Sequence, residues 1–64
     1  MEQASASIAR IDYDEARQRL TVVFAGGQSI VHIGVPSGIH AAFTAADHRG
    51  AFYVERIRDQ YRLA

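Results

Sequence analysis

Two sets of side chains in this chain have the types that do chemistry. One is a trio of histidines, His32, His40 and His48, at equal intervals; the other is the arginines, which supply all seven basic residues. Imidazoles ligate zinc, but a zinc site draws three or four ligands from tight local spacings, often with cysteine, and the chain has no cysteine. His32 falls in an expected strand, His40 near the start of an expected helix and His48 in a turn, so their even spacing has no geometric meaning. No metal and no cofactor are expected.

The arginines carry more. Arg58 and Arg62 stand four apart on an expected helix and would share a face, while Arg49 precedes that helix, where free amides favour an anion. With Tyr53 and Tyr61 they make the best candidate for phosphate contact, arginine being suited to forked hydrogen bonding. Against this, Glu55 and Asp59 stand three residues before Arg58 and Arg62, at a spacing that allows internal ion pairs. Serines and threonines lack a Ser-His-acid context, Asp12, Asp14 and Glu15 read as turn formers, and Gly26-Gly27 joins strands rather than opening a helix. An enzyme is not expected.

Composition sets the bounds. Sixty-four residues make one domain, and one that small buries only about 60% of the surface its unfolded chain exposes. Without a disulfide, stability must come from packing or self-association, so a homo-oligomer is expected. Seven basic residues balance seven acidic ones, which argues against nonspecific duplex binding driven by counterion release. No apolar run approaches the ~20 residues of a membrane span, and MEQASAS lacks the pattern of a secretory signal; a cytoplasmic location with no membrane partner is expected.

The elements that must position these groups follow in order. Ser7 to Tyr13 alternates as a strand, Asp14 to Arg19 makes a loop, and Leu20, Val22 and Phe24 alternate in a second strand. Gly26-Gly27 supplies positive φ for a hairpin to a third strand, Gln28 to Val35, with Val31, Ile33 and Val35 on one face and Ile30 and His32 on the other. An apolar second sheet face around Ile30, Val31 and Ile33 is the expected oligomer interface. Pro36 starts a helix carrying Ile39, Ala42, Phe43 and Ala46 on its apolar stripe. Gly50 ends a turn, and Ala51 to Tyr61 forms a second helix with Val54, Ile57 and Tyr61 inward, extended by Phe52 or Tyr53. Phe24, Phe43 and Phe52 are assigned to the core, and Tyr13, Tyr53 and Tyr61 to its rim. The result is an α+β fold, β-β-β-α-α, with a short three-stranded antiparallel sheet and two helices on one face.

The string SIARIDYD, the pair Val35-Pro36 and the segment RGAFYVERIRDQY, in this order, resemble the KTSC domain, a short module named after the C-terminal region of some lysyl-tRNA synthetases. Its most specific parts here are Ile11-x-Tyr13-Asp14, Gly50 followed by an aromatic residue, and Ile57-Arg58-x-x-Tyr61. The resemblance runs over residues 5–63, leaving 1–4 as an expected flexible start. It implies a small bacterial or phage-borne domain, found alone or fused to larger proteins, for which RNA binding has been suggested. Where the family commonly has Tyr-x-Tyr before Val-Pro this chain has Ile30-Val31-His32, leaving an imidazole as the remaining ring. The family's usual Ser-Lys-Gly is His48-Arg49-Gly50, and its frequent Asn is Val54. The expected function is a non-catalytic binding module taking RNA or a small nucleotide at Arg49, Arg58, Tyr61, Arg62 and His32. The alternative is a self-associating interaction module, of a phage type that sequesters a host protein or a small nucleotide at subunit interfaces.

Overall fold

A computed structural model of the chain describes residues 8–64; the expectation for residues 1–4 lies outside the described residues. Three strands, β1 (Ile8–Asp14), β2 (Arg19–Phe24) and β3 (Ser29–His32), form an antiparallel meander in the order β1-β2-β3. Helix α1 (Ser37–Ala45) follows, then α2 (Arg49–Phe52), which runs directly into a π-helical stretch over Tyr53–Ile57. The α+β class and the β-β-β-α-α order are as the sequence indicates. No helix among the described residues is long and apolar enough to cross a membrane.

Both hairpins are set by residues that accept positive φ. In the first, Gln18 takes φ 53°, and the Asp14 carboxylate accepts the Arg17 amide at 3.3 Å. In the second, the Phe24 amide donates to the Gln28 carbonyl at 2.7 Å and the Gly27 amide to the Phe24 carbonyl at 2.9 Å. Only Gly27 (φ 97°) needs the left-handed region there; Gly26, expected to share it, does not.

The third strand is shorter than its composition suggests. It ends at His32, because Gly34 at φ 73° swings the chain off the sheet. Val35 is thereby carried back to the first hairpin, where its amide donates to the Gln18 carbonyl at 3.0 Å and its carbonyl accepts the Tyr13 hydroxyl. Val31, Ile33 and Val35 therefore do not line one strand face: Val35 is fully buried in the core, and Ile33 lies beyond the strand.

Pro36 caps α1 rather than entering it, with φ −67° and ψ 153°, and its carbonyl accepts the amides of Ile39 and His40. The helix ends at Ala45 with Phe43 as its one buried residue, so Ala42 of the expected stripe stays exposed. Gly50 sits inside α2, buried, rather than ending the turn before it. The Arg58 amide donates to the Tyr53 carbonyl at 2.8 Å, the i→i+5 bond of a π-helix, and regular helix stops at Ile57 rather than Tyr61. That wider turn buries Tyr53 and Ile57 and leaves Val54 and Tyr61 half-buried.

The core is Leu20, Val22, Val35, Phe43, Tyr53 and Ile57, flanked by the half-buried Ile11, Tyr13, Phe24 and Phe52. Phe43 is stacked on Phe52 with ring centroids 5.5 Å apart. Beyond the helix the chain returns to the sheet: the Ile33 amide donates to the Arg62 carbonyl and the Ala64 amide to the Val31 carbonyl, both at 2.9 Å. Leu63 thus bridges His32 in antiparallel sense, and the tail covers the outer edge of β3.

Candidate ligand groove

His32 organises this end of the molecule from within. Its side chain is fully buried, with Nδ1 at 3.1 Å from the Tyr61 carbonyl and Nε2 at 3.0 Å from the Tyr53 hydroxyl. A carbonyl only accepts, so Nδ1 carries the proton and Nε2 accepts from Tyr53. Burial raises the Tyr53 hydroxyl above the ordinary tyrosine value; Arg58 nearby pulls the other way and Asp59 adds to the rise. The phenol stays protonated and holds its place as donor. His32 was expected to touch ligand, but with its ring enclosed and both nitrogens engaged it acts as an internal tie between β3, the π-helical stretch and the tail.

The surface over this tie is a groove of 580 Å³. The second hairpin contributes Phe24, Gln28 and Ile30, the π-helical stretch Tyr53 and Val54, and the tail Leu63, with Arg58 and Asp59 on the rim. The floor is apolar because β2 and β3 direct Phe24 and Ile30 to the helix side of the sheet, in register with Leu20, Val22 and His32. Phe24 meets Tyr53 edge-on with centroids 5.6 Å apart, so part of its ring remains for a ligand. Arg58 lies 3.6 Å from Asp59, both in solvent, and Leu63 is 64% exposed. An apolar cleft with one cation and one anion at its edge can hold a flat or branched apolar group and orient an attached charge.

The other predicted site residues are placed apart. The Arg49 guanidinium donates to the Thr44 carbonyl at 3.1 Å and lines a second, more polar hollow with Ile8, Asp47 and His48. Arg62 lies on the paired tail, off the helix, so it does not share a helical face with Arg58. Tyr61 packs half-buried against the core and gives its carbonyl to His32. Neither expected helical ion pair forms among the described residues; Arg58 takes Asp59 instead. Arg56 lies over the Phe52 ring at 5.5 Å.

The residues expected at an oligomer interface are also divided. Ile30 faces the groove, Val31 faces the opposite side of the sheet, and Ile33 lies past the strand end. The histidines are dispersed: His40 is stacked on Tyr13 at 4.5 Å, and His48 is an exposed helix cap. Among the described residues no group of three His, Asp or Glu is placed to hold a metal ion. Sequence reasoning missed Phe24, Asp59 and Leu63 as groove residues. The available signal was Leu63, a lone large apolar residue in a polar tail.

Comparison with known proteins bears on the family and the fold. A family model described as the KTSC domain matches residues 4–61. The fold is similar to the crystal structure of a KTSC domain protein from Yersinia pestis, with a TM-score of 0.86 and 25% identity, covering 100% of this chain and 90% of that one. No functionally curated protein matches the chain.

Proposed function

The chain belongs to the KTSC domain family, and from that premise we propose that it is a non-catalytic binding module that takes single-stranded RNA in the groove beside the π-helical stretch. One base packs against Phe24, Ile30, Val54 and Leu63, and its phosphate lies on Arg58. The observation that carries this reading is the meeting, on one groove of 580 Å³, of a partly exposed aromatic ring and an exposed guanidinium. Stacking on an aromatic ring contributes roughly 1–3 kcal/mol per base, and a charge-assisted contact from a rim arginine adds a comparable amount, about 1.5 kcal/mol. Arg49 and Arg62 contribute at most outlying phosphate contacts.

This reading makes binding weak and its salt dependence shallow, about −0.7 in log–log slope for each phosphate held. Fluorescence anisotropy with labelled oligo-uridylate at several salt concentrations tests it. Arg58→Ala should weaken binding about tenfold with the fold intact, and Val54→Glu should abolish it. A second reading, an apolar segment of a protein partner, draws on the exposed Leu63 and on the carboxylate beside Arg58. Absence of binding to any single-stranded RNA would sink the first reading and leave the second.

A further inference from the structure

The outer edge of β1 pairs with no strand among the described residues. Which of its backbone groups are free follows from the second hairpin. The Phe24 amide donates to Gln28, so in β2 residues 24, 22 and 20 bond toward β3 and residues 23, 21 and 19 toward β1. Their β1 partners Arg10, Asp12 and Asp14 therefore direct their backbone groups inward to β2, while Ile11 and Tyr13 present theirs to the open edge.

We propose that this edge pairs with the same edge of a second copy, antiparallel, about a two-fold axis through Ile11. Each Ile11 then exchanges two backbone hydrogen bonds with its counterpart, and Tyr13 stands opposite Ala9, where the register shift between Ile8 and Arg10 ends the regular ladder. The side chains select that register. Centred on Ile11, Arg10 meets Asp12 of the second copy and Asp12 meets Arg10, both on the outer face, at the close non-hydrogen-bonded positions. Moving the axis to Asp12 also satisfies the backbone, but it sets Asp12 against Asp12. Within one copy Arg10 and Asp12 already pair at 3.0 Å with side chains 70% and 55% exposed, so both are presented on the open face.

An edge that only repelled partners would carry like charges; this one complements itself. Two three-stranded sheets become one of six strands. Growth stops there because each β3 edge is covered by its own tail. The dimer leaves the groove free, on the far side of each sheet's order, so it does not depend on the RNA reading.

Light scattering of the full chain across micromolar to millimolar concentration reads the association directly, against the 7.1 kDa of one copy. Mass should rise toward twice that value and no further. Arg10→Asp and Asp12→Arg, each confirmed folded by circular dichroism, should weaken association by about tenfold or more. The combined exchange, Arg10→Asp with Asp12→Arg, should restore it. A monomer at every concentration, single variants that still dimerise as before, or a folded double exchange that stays monomeric would each overturn the proposal. RNA binding by the folded single variants should be unchanged, which separates failure of this interface from failure of the groove.

Discussion

The two edges of the small sheet are finished in opposite ways. At β3 the chain covers its own edge: residues 62–64 pair with Val31 and Ile33, and His32 ties that tail to Tyr53 beneath it. At β1 the outer edge pairs with no strand among the described residues and carries an alternating Arg10, Asp12 pattern. The first edge is closed by a buried hydrogen-bond network; the second is marked by exposed charge. Buried networks are strong when complete and costly when broken, whereas exposed ion pairs contribute little to stability and act through partner choice. Variants at the two edges should therefore differ in kind, stability at β3 and association at β1.

The largest effect is expected at His32. His32→Ala empties a fully buried site and strands the Tyr53 hydroxyl and the Tyr61 carbonyl, at a cost of about 3 kcal/mol or more. A domain of this size has roughly 3–10 kcal/mol in total. Urea denaturation should show most of the stability gone, and hydrogen exchange should show the Ile33 and Ala64 amides losing protection first. Protection that survives at those amides would mean that the tail is held by its strand pairing alone.

Tyr53→Phe should cost less, about 1–2 kcal/mol, since it removes one hydroxyl and leaves Nε2 of His32 without its donor. It also changes the pH response. Burial raises the Tyr53 hydroxyl above its ordinary 10.0, and burial followed by the charges of Glu15 and Asp14 raises Tyr13. For a group whose folded value is the higher, the native state holds the proton longer. Stability is thus full below pH ~10 and falls as pH rises through the folded value. Alkaline denaturation of the wild-type chain should begin there, and Tyr53→Phe should lose part of that slope while keeping the part due to Tyr13. An unchanged slope would place the alkaline sensitivity elsewhere.

Much of this arrangement was readable in the residues. Alternation in Leu20, Val22 and Phe24, the glycine hairpin and Pro36 ahead of an apolar helix led to the correct order of elements, because each is a local signal. What was not readable depends on contacts distant in sequence. Val35 looked like strand until Gly34 turned it, and its burial rests on Gln18 and Tyr13 at the other end of the sheet. The Ala51 to Tyr61 stripe suited a regular α-helix, and no local pattern announced the π-helical turn that ends it at Ile57. That turn removed the shared face expected of Arg58 and Arg62. His32 read as a ligand contact because a strand histidine carries no mark of its partners; those are Tyr53 and Tyr61, more than twenty residues away.

A smaller perturbation sharpens the comparison on the β3 side. Ala64→Pro deletes one donor, the amide that bonds the Val31 carbonyl, and proline suits an extended position otherwise. The loss should be about 1 kcal/mol, read by thermal denaturation. The informative readout is mass. If the tail is what stops growth beyond two copies, loosening it should let larger species appear at high concentration, while the wild-type chain stays at or below two. No larger species would mean that the remaining bond, from the Ile33 amide to the Arg62 carbonyl, suffices to close the edge.

The smallest expected change in stability lies at the open edge, and its smallness is the point. Arg10→Gln removes one partner of an exposed pair, worth at most about 0.5 kcal/mol within one copy. At low concentration its melting temperature should match the wild type closely. Association, however, stabilises whatever state it binds, so a chain that dimerises melts higher as concentration rises. The wild-type melting temperature should climb over a hundredfold range of concentration, and that of Arg10→Gln should climb less, because two cross-copy ion pairs are lost for one substitution. Parallel curves would remove Arg10 from the interface, and a separation already present at low concentration would show that the pair acts within one copy instead. The β1 edge is thus distinguished from the β3 edge by concentration alone, since nothing in the His32 tie depends on a second copy.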